Sequence, residues 1–422
     1  MRLPDGLRAL RIRNFRLYAS GQLLTLTGRW MLVTGQDWLV VQLGGHGTAL
    51  GIATALQFAP TLLLGLWAGL LADRVDKRRL LLVTQACYAA LALSGGLLVA
   101  SGAITLPLVF VLAAALGTVN ALDTPARQSF VVEMVGAEDL PNAVAINSMT
   151  FNSARIIGPS VAGLLIAGVG TSPVFFTTAV SAIGVLTGLA RMRVSELRAA
   201  VPLARAKGQL REGFRYVRGR QDLLLVIGMV GLVSALGLNF PVTLALMARQ
   251  EFHGGAELYG AFSSTLAVGN LLGAVAAARR TRPRQRTLVI SAALFGIGET
   301  VAALMPSPVT FGAALVVTGA ALLTFTTTAN TTVQLSVDGQ MRGRVMAIYL
   351  LVFLGSTPIG GPLVGMLCQA LGPRAGLLVG GIPTTLMAVA VAVLLLRVRR
   401  RADRHPASVE HVDRRELVGA DA

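Results

Sequence analysis

Twelve apolar runs, each long enough to cross a bilayer as a helix, recur along this chain of 422 residues. A membrane helix needs about 20 such residues. The runs cover approximately 17–43, 48–72, 80–100, 106–125, 142–168 and 173–191, then 222–248, 257–278, 287–305, 308–333, 344–370 and 374–396. Composition agrees: 54% of residues are hydrophobic and only 14% are charged, where a soluble domain carries about 25% charge. So little polar surface cannot cover a water-soluble protein of this size. The expected fold is therefore an all-α membrane protein of twelve transmembrane helices. The frequent glycines fit, because small residues let helices approach closely in lipid.

The formal net charge of +17 would suggest nucleic acid in a soluble chain. Here its placement follows the spans. Thirty-three lysines and arginines fall in alternate loops and the termini on one side, two (Arg249 and Arg374) fall on the other, and Arg29 and Arg155 lie within spans. Such a bias places the basic side in the cytoplasm. Both termini are then expected to be cytoplasmic, in a multi-pass protein of a bacterial inner membrane, with lipid as a partner and nucleic acid not. The first apolar run is too long for a cleaved signal. It is expected to remain as an anchor.

The stretch Arg193–Gln221 is the one long internal interruption. It divides the chain into an N-terminal half (1–192), a linker (193–221), a C-terminal half (222–397) and a polar tail (398–422) expected to be disordered. Leu210, Phe214 and Val217 share a face in the linker, opposed by Arg211, Arg215 and Arg218. This pattern suits an amphipathic helix on the membrane surface and equally a solvated connector.

The two halves echo each other. Gly65-x-x-x-Gly69 is matched by Gly269-x-x-x-Gly273 at an offset of 204, and Gly158-Pro159 by Gly361-Pro362 at an offset of 203. A parallel repeat of six spans predicts two pseudo-symmetric six-helix bundles with a cavity between them.

After the second span the chain reads Gly69-Leu-Leu-Ala-Asp73-Arg74-Val-Asp76-Lys77-Arg78-Arg79. This resembles the loop signature of the major facilitator superfamily. The resemblance implies the major facilitator fold and a conformational latch formed by Gly69, Asp73, Arg74, Lys77 and Arg78, closing on the start of span 11 near Arg344. Asp76 stands where the family has glycine, and Asp tolerates positive φ better than most residues. Lys77 replaces the first arginine of the pair and cannot form a bidentate fork.

In span 5, Arg155-Ile-Ile-Gly158-Pro159-Ser-Val-Ala-Gly163 resembles the antiporter motif of exporters. Asp123-Thr-Pro125-Ala-Arg127-Gln128-Ser-Phe130 is similar to the bacterial drug, macrolide and siderophore exporters, a subgroup that includes the enterobactin exporter. The resemblance implies export by proton antiport. The arginine that antiporters carry in the middle of span 4 is missing here.

Charges at mid-span are costly, roughly 2.5–3.5 kcal/mol each, and so mark coupling or substrate candidates. Gln22, Thr25, Arg29 and Gln36 lie within roughly 60° of one another around span 1 at ~100° per residue, a stripe suited to a cavity wall. Asp37 lies off the stripe, placed either to pair loosely with Arg29 or to act separately. Arg29 has no acid one turn away, so its partner comes from another span or from an anionic substrate. Ser148, Asn152 and Arg155 share a face of span 5, and Arg155 is expected to pair with Asp123 of span 4, or else to hold a substrate anion. Glu299 lies in the outer half of span 9, either buried and able to carry a proton or exposed at the rim. Threonines 326–328 with Asn330, Thr331, Thr332 and Gln334 either line the cavity or bond back to helix carbonyls.

No G-x-x-x-x-G-K-[ST] loop occurs, so transport would be secondary, without a nucleotide. The four histidines and the two cysteines, Cys87 and Cys368, form no ligand-spaced cluster. No cofactor, metal or catalytic residue is expected, and the chain reads as a monomeric transporter and no enzyme. The sequence-level expectation is a secondary exporter of an amphipathic small molecule in exchange for protons. A lipid flippase on the same fold and a non-transporting membrane sensor are the alternatives.

Overall fold

The computed structural model describes residues 5–198, 209–278 and 285–404. The first half contains α1 (Arg13–Gln42), α2 (Gly47–Arg74), α3 (Lys77–Ala100), α4 (Leu106–Val169) and α5 (Ser172–Ala190). The linker carries α6 (Gln209–Arg218). The second half contains α7 (Gln221–Leu232), α8 (Phe240–Leu246), α9 (Ala256–Ala278), α10 (Gln285–Leu304), α11 (Pro308–Leu335), α12 (Gly339–Gly355), α13 (Thr357–Leu371) and α14 (Pro373–Arg404). No strand is present among the described residues.

Ten helical segments among the described residues are long and apolar enough to cross a membrane. Two further crossings complete the twelve. The α4 segment has 64 residues, about 96 Å at 1.5 Å per residue, some three times the hydrocarbon thickness. It is two crossings, reversed at Gly136, whose φ of 71° breaks the helix. The connection expected between the fourth and fifth spans is thus itself helical up to this glycine. The other addition is α1, whose Gln22, Arg29, Gln36 and Asp37 lower its hydropathy. Its neighbours shield these groups: Gln22, Gln36 and Asp37 are all buried.

The seventh and eleventh crossings are broken. Two π-helical turns, Val233–Gly237 and Met247–Glu251, flank α8. The eleventh crossing divides at Ser356 into α12 and α13. Side chains such as Leu63, Leu164, Val180 and Leu386 are exposed outward, an apolar girdle that only lipid can solvate.

The pseudo-symmetry is physical. In the first half a side chain at Gly117 would strike the Gln57 carbonyl of α2, and in the second a side chain at Gly319 would strike the Leu266 carbonyl of α9. Gly170 and Gly372, both with φ near 90°, end the equivalent fifth and eleventh crossings. The repeated Gly-x-x-x-Gly pattern is used unequally, however. Gly269 and Gly273 pack on backbone carbonyls of α11, while Gly65 faces open space.

α6 lies against α12. Glu212 pairs with Arg344 at 2.7 Å, and Val217 is buried while Phe214 is half exposed. Helix α14 continues through Arg404. Residues 199–208 of the linker and 405–422 of the tail lie outside the described residues.

Candidate functional site

The two halves touch most closely at the end opposite the arginine-rich loops. There Gly47 and Gly51 of α2 meet the Gly365 and Gly361 carbonyls of α13, and Gly260 of α9 meets the Pro159 carbonyl of α4. Gly163 fits against the Ala256 carbonyl, where an added Cβ would lie 2.7 Å away. These glycines allow backbone to seat on backbone, so this end is sealed by main chain. Gly158 packs instead on Trp30 and Thr27 of α1.

Below this seal lies a cavity of about 880 Å³, the size of pockets that enclose drug-like ligands. Its lining runs from Gln36 and Thr54 to Tyr18, Leu140 and Val144 toward the basic end. Helices α1, α2 and α4 supply most of the wall. The second half adds Leu238, Phe240, Pro241, Phe353, Leu354 and Thr357.

The polar stripe expected on α1 is on this wall, less one member. Gln22, Arg29 and Gln36 line the cavity, whereas Thr25 turns away to donate to the Ser181 carbonyl at 3.1 Å. Gln36 is held by the Val109 carbonyl at 3.3 Å and Gln22 donates to the Tyr18 hydroxyl at 2.7 Å. Ser148, Asn152 and Arg155 line the cavity together.

Asp123 pairs differently from the expectation. Its partners are Arg29, with Nη2 at 3.3 Å, and Arg127, with Nε at 3.5 Å, not Arg155. It also accepts from Gln85 at 2.7 Å and from Thr84 at 3.1 Å, and is fully buried. Arg29 further donates to Asn120 at 2.8 Å and lies 4.7 Å over the Tyr88 ring. The carboxylate thus accepts from three donors on two helices, α1 and α3, while Arg127 of its own helix adds positive charge at 3.5 Å without a hydrogen bond from Nε. Arg155, in place of an acid, stacks on Trp30 at 5.4 Å.

Asp37 does not pair with Arg29. It reaches across the interface between halves, where Tyr259 of α9 donates to its Oδ2 at 2.8 Å, and its Oδ1 has no hydrogen-bond partner. The Trp38 ring stacks on the same tyrosine at 6.4 Å. Glu299 is buried, not at the rim, and does not face the cavity. It sits against Gly237 and Gly380, and its Oε2 has no hydrogen-bond partner.

The loop after α2 is fastened within the first half. Lys77 pairs with Glu133 at 2.7 Å, and Arg78 donates to the Leu189 and Ala190 carbonyls that end α5, at 2.7 and 3.2 Å. Arg74 is exposed. Asp73 occupies the last turn of α2, and its side chain lies outside the described residues. Asp76 does not need positive φ: at φ −59° it caps α3, accepting from the Arg79 N–H at 2.9 Å. The site expected opposite the latch is occupied otherwise, since Arg344 pairs with Glu212 of α6.

Residues 5–419 match the family described as transmembrane secretion effector. This chain belongs to that family of the major facilitator superfamily. Major facilitator proteins are transporters of small molecules, and the chain shares their fold. It is 26% identical over 261 residues to the staphyloferrin A transporter of Staphylococcus aureus, an alignment covering 61% of this chain and 65% of that protein. It is 26% identical to the multidrug efflux pump Tap of Mycolicibacterium fortuitum over 88% of this chain and 93% of the pump. Its fold matches an inward-facing, unoccupied bacterial homologue of the lysosomal transporter Spinster with a TM-score of 0.69, at 16% identity, covering 93% of this chain and 96% of the other.

Within this major facilitator fold, several site residues escaped sequence reasoning. Arg127 stands one turn from Asp123, a spacing that signals pairing on one helix. Gln85, Tyr88 and Tyr259 carry no local signal, because each meets its partner only through packing of separate helices. The threonine series of α11 bonds back to its own carbonyls, as Thr326 and Thr327 do to Leu323 at 3.2 and 2.7 Å.

Proposed function

We propose that this protein is a secondary active transporter that exports an amphipathic small molecule from the bacterial cytoplasm by alternating access, in exchange for protons. The observation that carries the reading is the cavity between two matched bundles, sealed by backbone contacts at one end and extending toward the arginine-rich end. With that end in the cytoplasm, as the charge bias predicts, the cavity accepts solutes from inside. Rocking of the halves about the site would break the glycine seal and release them outside. Similarity to a multidrug efflux pump across most of both chains supports the direction.

Asp37 is the coupling residue in this reading. It is a carboxylate that joins the halves within the seal, so its protonation would change the Tyr259 contact that the outward opening must break. Glu299, buried and unpartnered in the second half, is the other proton candidate. One proton moving through ~100 mV supplies about 2.3 kcal/mol, enough for a roughly 40-fold gradient at 1.4 kcal/mol per decade. Asp73 and its loop form the opposing latch, and each half moves as one body.

The test begins with a deletion strain screened against a broad compound panel for increased susceptibility. Flux of the compounds found is then measured in proteoliposomes with and without a pH gradient. Gradient-driven uptake against concentration is the expected result. Ligand binding without flux would favour a sensor, and flux restricted to phospholipid headgroup analogues would favour a flippase.

A further inference from the structure

The charge on the cavity wall has one sign. Arg29, Arg127 and Arg155 are among the lining residues, and no aspartate or glutamate among the described residues is. Asp123 lies behind the wall and meets two of these arginines. That carboxylate offsets one of the three guanidinium charges and does not meet Arg155, which leaves the site cationic.

The three arginines are not equally engaged. Arg29 is held by Asn120, Asp123 and the Tyr88 ring. Arg127 has the 3.5 Å approach to Asp123, and its Nε makes no hydrogen bond. Arg155 makes no ion pair among the described residues and rests on the Trp30 ring. Stacking occupies the face of a guanidinium and leaves its in-plane N–H groups available, the geometry that takes an oxyanion in two parallel hydrogen bonds. An unneutralised cation at membrane depth is costly unless water or a ligand solvates it. An anionic ligand would supply the missing charge.

The facing wall is of another kind. Leu238, Phe240, Phe353 and Leu354 of the second half offer apolar surface and no charge.

We propose that the substrate is an amphipathic organic anion whose carboxylate or similar oxyanion is held by Arg155, while its apolar body lies on the Phe240 and Phe353 surface. Arg29 and Arg127 contribute positive potential, and Arg29 with Asp123 holds α1 against α4. This assignment of substrate class deepens the export reading and takes from it only the direction of movement.

The experiment uses the full chain in nanodiscs of neutral phosphatidylcholine and two probes with the same aromatic body, 1-naphthaleneacetate and 1-naphthylmethylammonium. Titration calorimetry measures both. The wild-type protein is expected to bind the anion at least tenfold more tightly than the cation. Arg155→Gln is expected to remove that preference, Arg155→Lys to keep part of it, and Phe353→Ala to weaken both probes alike. The proposal is overturned if the cation binds equally or better, or if a folded Arg155→Gln protein keeps the preference. The wild-type comparison stands even if the glutamine variant does not fold. Anion-selective binding with no flux in vesicles would uphold this assignment and remove the export reading. Flux of cationic compounds alone would do the reverse.

Discussion

The two halves share a plan and differ in what they place inside the membrane. The first half builds a polar wall: Asp123 receives donors from α1 and α3 and pairs with Arg127 of its own helix, and three arginines line the cavity. The second half offers the cavity an apolar surface with Thr357 as its polar member. Its own buried carboxylate, Glu299, is set away from the cavity without a hydrogen bond to Oε2. The same six-span unit can thus be specialised by a few side chains. One copy holds charge in a saturated network, and the other keeps a carboxyl isolated.

The strongest way to break this comparison is Asp123→Ala. Removing the carboxylate leaves Arg29 and Arg127 facing each other without neutralisation, and loss of one partner from a buried pair costs about 3–5 kcal/mol. Thermal unfolding followed by size-exclusion fluorescence is expected to show a severe loss of folded protein. Glu299→Gln is expected to leave the melting point nearly unchanged, because no cation among the described residues of the second half pairs with it. Equal damage by both substitutions would remove the distinction between saturated and isolated carboxyls.

Transport variants sharpen it. Asp37→Asn keeps the shape of the Tyr259 contact and removes the ionisable group, so gradient-driven flux is expected to fall at least tenfold while the protein still inserts. This tenfold loss corresponds to about 1.4 kcal/mol. Asp73→Asn is expected to reduce flux comparably by weakening the latch. Normal pH-driven export by both variants would remove these assignments. Gly365→Val tests the seal: its Cβ would strike the Gly47 carbonyl, so the outer end should stay partly open, read as labelling of a cysteine placed beside it by an impermeant thiol reagent.

The smaller effects probe local fastening. Lys77→Gln removes a pair with Glu133 that is largely shielded from water, and a loss of about 1.5–3 kcal/mol is expected for a hydrogen bond between charged groups. Thr326→Val is expected to change stability by under about 0.5 kcal/mol and flux not at all, because its hydroxyl bonds within its own helix. A flux defect there would bring α11 into the cavity wall.

The amino-acid sequence by itself determined the membrane environment, the twelve crossings, the internal repeat and the family. Those follow from local quantities: run length, loop charge and a motif of adjacent residues. It also marked the intramembrane ionisable groups, since each stands out against an apolar background. What only the tertiary structure decided was their partners. Asp123 chose Arg29 and Arg127 over Arg155, and Asp37 met a tyrosine 222 positions away in the other half. Asp76 became a helix cap where a left-handed turn had been expected. Helical periodicity fixes which residues share a face, whereas the rotation and depth of one helix against the next are set by packing of many side chains together, and no single stretch of sequence encodes that.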